Sequence, residues 1–190
     1  MSGGASNLIA TSISRLMFVV DDSVPGEIRL QVSLSPADLI WRGDGVLNRW
    51  DTDTFNWRNG GSSDKFYALD SVTFDDSGSN NTSIQLQPPL APAVVTVAAA
   101  KNYAFSGAGW LTGMASVNKI GTGTLTMATA NDFTGTVTVG AGVLKVAGLD
   151  ALGSASGATL VTNSGVLDVN GTSLGGELVI VSGAGAGAGA

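Results

Sequence analysis

The chain has 190 residues, 44% of them hydrophobic and 13% charged, with a net charge of −6. That balance excludes intrinsic disorder, which needs low hydrophobicity and high charge, and nine scattered basic residues form no stripe to follow a nucleic-acid backbone. With no histidine and no cysteine, Ser-His-Asp and Cys-His catalysis, disulfides and thiolate zinc sites are all removed.

At the start of the chain, residues 1–6 show no basic region leading into an apolar one, the pattern of a secretory signal. That start reads as a fragment boundary. Residues 1–35 are expected to be N-terminal strands, either the end of a preceding winding or a cap. Strand candidates are 16–20 and 27–32, separated by turn residues 21–26. In the second, Ile28, Leu30 and Val32 share one face.

Residues 36–82 form a Trp/Asp-rich zone. Seven of the 12 aromatics lie between Trp41 and Phe74, and eight of the 15 acidic residues lie between Asp38 and Asp76. The spacing of Trp41, Trp50 and Trp57 is too irregular for one helix face. Asn59-Gly60-Gly61 marks a turn, and 72–74 is a strand.

From 83 to 182 the chain becomes a succession of short strands between glycine turns. The expected strands are 83–86, 94–97, 103–105, 124–128, 136–139, 143–146, 159–161, 166–169 and 178–181. No stretch is long and apolar enough for a helical span of roughly 20 residues. Side chains on a strand alternate between faces. Leu125 and Met127, Val137 and Val139, Leu144 and Val146, and Leu167 and Val169 therefore point inward as the structural core. Thr124, Thr126, Thr136, Thr138, Lys145 and Asp168 point outward. The segment Gly142-Val-Leu-Lys-Val-Ala-Gly148 recurs as Gly165-Val-Leu-Asp-Val-Asn-Gly171, 23 residues on. A period in the low twenties with short strands in each repeat is that of a solenoid winding. The alternative is an antiparallel β-sandwich, but its hairpins favour two-residue Asn-Gly or Asp-Gly loops, and Asn170-Gly171 is the lone such pair near these strands. A short helix around 149–152 is compatible with either fold. Residues 183–190 read as a Gly/Ala tail or a truncated next repeat.

Three groups of residues invite chemistry. Asp44, Asp51 and Asp53 offer carboxylate oxygens to calcium, which takes 6–8 oxygen ligands. They lack an EF-hand's glycine and distal glutamate, and aspartates in turns commonly cap backbone N–H groups. Trp41, Trp50 and Trp57 offer flat apolar rings for stacking on sugar; plugging one end of a solenoid is the competing role. Asp21-Asp22 and Asp75-Asp76 are carboxylate pairs, but adjacent strand residues face opposite ways, poor geometry for flanking one glycosidic bond. No catalytic residue and no resident cofactor is expected.

In one order the chain carries WRGDGVLNRWDTDTFNWRNG (41–60), SVTFDDSGSN (71–80), YAFSGAGWLTG (103–113) and VNKIGTGTLTMATANDFTGTVTVGAGVLKV (117–146). This set resembles the autotransporter-associated β-strand repeat family, the passenger-associated repeats of large bacterial exported proteins. The resemblance implies a right-handed parallel β-helix, extracellular or cell-surface location and no intrinsic catalysis. The expected fold is thus an all-β solenoid with an aromatic-rich N-terminal segment. The expected role is a structural or adhesive module, joined head-to-tail to further copies or to further repeats of a longer chain. A carbohydrate-binding module that takes a surface glycan on the Trp zone is the runner-up, and a polysaccharide-degrading β-helix enzyme the third reading.

Overall fold

The computed structural model describes residues 15–21 and 23–183. Strand is the sole regular element among them; the helix considered at 149–152 is a turn. Two walls of parallel strands wind into a solenoid of about five turns.

The first wall stacks β3 (Asp38–Trp41), β7 (Ser71–Phe74), β9 (Val94–Val97) and β11 (Ser116–Lys119). It continues through the first half of β13 (Val137–Val146), the first half of β14 (Ala158–Asp168) and β15 (Leu178–Ser182). The second wall stacks β4 (Arg49–Trp50), β8 (Ser83–Leu86), β10 (Tyr103–Gly107), β12 (Thr124–Met127) and the second halves of β13 and β14. Every neighbouring pair in both walls runs parallel, which excludes the sandwich.

The register explains why this sequence winds this way. Leu39, Val72, Val95, Val117 and Val137 stand opposite one another in successive windings. So do Tyr103, Leu125, Leu144 and Leu167 in the second wall. One winding cannot bury its inner side chains, so each column forms only by stacking. A fully buried Leu or Val contributes roughly 1.5–3 kcal/mol. The exterior of the first wall carries Thr73, Thr96, Asn118 and Thr138, where β-branching and solvent suit a pleated surface.

The 23-residue repeat appears as register: Gly142 pairs with Gly165, and Leu144 with Leu167. In the first half of β13 the offset shortens by one, because the ladder slips between Val139 and Ala141. That slip lets one strand turn the corner between walls. Gly142 sits at the corner with φ +65°, and a β-carbon there would strike the Gly121 and Gly123 carbonyls and the Lys119 ammonium. Only glycine fits such a corner at no cost.

Two antiparallel elements lie at the N-terminal end. β5 (Trp57–Asn59) and β6 (Ser62–Asp64) form a hairpin on Asn59-Gly60-Gly61, and β5 pairs with β3 in the opposite sense to the rest of the ladder. β1 (Leu16–Asp21) and β2 (Arg29–Leu34) form a separate two-stranded sheet. Arg15 ties that sheet to the solenoid through Asp70 at 2.7 Å and Asp64 at 2.8 Å.

Candidate functional site

The aromatic zone is built from residues that are far apart in sequence. β3 supplies Trp41, β4 Trp50, β5 Trp57, β7 Phe74 and β10 Phe105. Trp41 meets Trp57 edge-on at 4.9 Å between ring centroids, and Trp50 lies 5.3 Å from Trp57 and 5.5 Å from both Phe66 and Phe74. All three tryptophans are buried. Their ring faces meet other rings, and each indole N–H lacks a hydrogen-bond acceptor among the described residues. In this arrangement Trp41, Trp50 and Trp57 present no open face on which a sugar could stack. They fill the first windings beneath the β5–β6 hairpin.

The acidic residues of the same zone serve its turns. Asp44 Oδ1 accepts the Val46 N–H at 2.9 Å and the Asn48 N–H at 2.8 Å. The Asn48 N–H, aided by that of Val46, holds the Asp44 carboxyl below the ordinary carboxylate range against the effect of burial. Asp51 Oδ1 accepts the N–H groups of Asp53 and Thr54 and the Thr54 hydroxyl. No three acidic side chains converge as ion ligands among the described residues. Asp75 and Asp76 part company as strand geometry requires. Asp75 caps Ser77, while Asp76 accepts the Ala100 and Lys101 N–H groups of the next winding, and these hold its carboxyl below the ordinary range. Asp21 caps Ser23; Asp22 lies outside the described residues.

Of the core positions, Leu125, Met127, Val137, Val139, Leu144 and Val146 are buried. Leu167 is partly buried and packs on the core. Val169 departs from its expected place: it is 41% exposed. It lies just past β14, whose second half has no strand beyond it among the described residues. β15 is the last described strand, and Leu178, Ile180 and Val181 along it are exposed. The last described winding therefore presents aliphatic side chains beside an edge that no strand pairs with among the described residues.

Two polar residues inside the stack escape a reading by hydrophobic pattern. Lys119 stands in the inner column between Val97 and Val139, and it is buried. Its ammonium donates to the carbonyls of Gly121 and Ala141, tying the corners of two windings. Burial holds its pKa below the ordinary lysine value. Asn131 does similar work on the thin third side, where Leu90 bridges to Leu111. Its Oδ1 accepts the Leu111 N–H at 2.9 Å, and its Nδ2 donates to the Ala151 carbonyl at 2.7 Å, so one side chain joins three windings. The sequence signals were Lys119 two residues before Gly121-Thr-Gly123, and Asn131 opening Asn131-Asp-Phe-Thr-Gly.

Both residues fall within 117–146, the segment that matches the family model of the passenger-associated-transport repeat. The matched segment runs from Val117 in β11 through β12 to the end of β13. No curated protein and no solved structure matches the chain.

Proposed function

Taking residues 117–146 as a passenger-associated-transport repeat, we propose that this chain is a non-enzymatic structural module of an exported bacterial protein, displayed outside the cell or on its surface. The observation that carries this reading is the unbroken parallel ladder. Backbone hydrogen bonds run along the solenoid axis and aliphatic columns fill its interior, an arrangement suited to a stiff spacer. The polar groups within it are committed to turns and corners rather than gathered around a substrate. Recognition then falls to loops or to flanking segments.

The two ends suggest how the spacer grows. Large aromatics and an antiparallel hairpin close the N-terminal end. The last described strand, β15, has no partner on its outer edge among the described residues, an edge to be met by further repeats of a longer chain or by a second copy stacked head-to-tail. Sedimentation velocity over a range of concentrations tests the second route. Association that Val181→Asp abolishes supports it, and a monomer at every concentration removes it. Export is tested by protease treatment of intact cells that make the native protein. Loss of the protein from intact cells supports surface display; cleavage only after lysis contradicts it.

A further inference from the structure

Between the β1–β2 sheet and the plugged end of the solenoid runs an open cleft of about 920 Å³. One wall is Leu16, Met17 and Phe18 of β1. Successive strand side chains point to opposite faces, so a cleft that meets all three residues meets the strand edge-on. The pairing identifies which backbone groups lie there. Ser35 N–H donates to the Arg15 carbonyl at 3.2 Å, which makes positions 15 and 35 a hydrogen-bonded pair. Such pairs alternate along an antiparallel ladder. The next are Met17–Ser33 and Val19–Gln31. The N–H and C=O groups of Leu16, Phe18 and Val20 therefore point away from β2, and among the described residues no strand pairs with that edge.

The facing wall is acidic. Asp38 is exposed at the start of β3 and lines the cleft, as does Asp64. Asp64 shares the Arg15 guanidinium with the buried Asp70, so two carboxylates meet that one cation while Asp38 stands on the cleft wall without an ion-pair partner among the described residues. Lys65, next in sequence to Asp64, does not line the cleft, and its ammonium lies over the Phe55 ring at 4.9 Å. On the same side of the sheet as Leu16, Phe18 and Val20 stand Leu34, Val32 and Leu30, which give it an apolar face.

We propose that this cleft binds an extended peptide with lysine or arginine at alternate positions, added as a third strand to the free edge of β1. Main-chain hydrogen bonds supply the register, as in other strand-addition complexes. Asp38 and Asp64 select the basic side chains, and the intervening apolar ones meet Leu16 and Phe18. A saccharide lacks the alternating donors and acceptors that this edge requires. The proposal stands independently of export and of stacking at the opposite end.

Fluorescence anisotropy with three labelled octapeptides tests it: alternating Lys-Val, alternating Glu-Val, and the Lys-Val peptide with N-methyl groups on every second amide. The Lys-Val peptide binds saturably, and less tightly as salt rises. The other two bind about tenfold more weakly or worse, as does Lys-Val with the Asp38→Asn protein. Phe18→Pro removes an outward N–H, which an edge strand tolerates. It leaves the melting temperature nearly unchanged and abolishes binding, whereas Phe18→Ala retains most of it. The proposal is overturned if Lys-Val shows no saturable binding, if the acidic or N-methylated peptide binds equally well, if a neutral oligosaccharide displaces the peptide, or if folded Phe18→Pro binds like the unaltered protein.

Discussion

The first and last described windings of the solenoid differ. At the N-terminal end three indoles and the rings of Phe66, Phe74 and Phe105 lock together, and β5 reverses the direction of the ladder. In the last described windings the inner columns run through Thr159, Val161 and Leu167 to Val179 of the last described strand, and Val169 and Val181 face solvent. On the outside of the first wall the threonines of earlier windings give way to Leu160 and Ile180. Closing a parallel stack thus takes more than ending it. Bulky rings must replace the missing neighbour, and a strand of opposite sense must cover the edge that invites pairing.

Substitutions at matched positions sharpen that contrast. The largest effect is expected in the middle of the stack. Leu144→Asp places an unpaired charge among buried aliphatics, at a cost of several kcal/mol against a total stability of about 5–15 kcal/mol. That variant should not give a cooperative melt by circular dichroism, whereas Lys145→Asp, next along the strand but facing out, should melt almost like the unaltered protein. Equal melting of the two would refute the assignment of faces. Next comes Trp50→Ala, which empties the centre of the plug and should cost about 3–5 kcal/mol in denaturant unfolding. Val169→Ala at the open end should stay within about 0.5 kcal/mol. Similar losses at both sites would erase the distinction between a closed and an open end.

Lys119→Ala should cost about 1–3 kcal/mol, because it leaves two corner carbonyls without their donor. Urea midpoints within error of the unaltered protein would show that the ammonium ties nothing. A pH-dependent effect concerns Tyr103, whose hydroxyl donates to the Asp75 carbonyl at 2.8 Å. Burial, reinforced by Asp75 and Asp76, raises its pKa from 10.0 to about 12. The folded state keeps a proton that the unfolded chain releases in that window. The hydroxyl's contribution is therefore complete below pH 10 and is lost as pH rises through about 12. Lys119 acts with the opposite sign: its folded pKa is lowered, so the cost of burying its charge is relieved as pH rises toward 10.5. Tyr103→Phe should lose about 1 kcal/mol at neutral pH, and its stability should converge on that of the unaltered protein above pH 10. Parallel stability curves from pH 8 to 12 would contradict this.

How much of this was legible in the sequence depended on whether a strand followed simple alternation. Thr124-Leu-Thr-Met127 and the Gly142/Gly165 pair announce their phase and period directly, and both appear as register. β11 does not, because Ser-Val-Asn-Lys carries a lysine where the pattern calls for an aliphatic residue. The corner that makes this lysine tolerable is built by residues two and 22 positions away. The expected breaks in β13 and β14 are absent, since the ladder resumes directly after each corner, where Gly142 and Asn163 take positive φ. The aromatic plug was half legible. Composition locates the rings, but their spacing is irregular because separate strands and loops deliver them. Ile28, Leu30 and Val32 alternate as a buried strand would, yet Ile28 falls just before β2 and all three are at least half exposed, for they face no other layer among the described residues. Alternation states which side chains share a face and leaves open what covers it.

The central claim is that successive windings stack in parallel at one strand spacing. Spin labels on outward positions of the first wall measure this by pulsed dipolar spectroscopy, with one label at Thr73 and the second moved in turn to Thr138, Leu160 and Ile180. The account predicts label separations that grow by about 4.8 Å at each step. Separations that fail to increase in that order would contradict it.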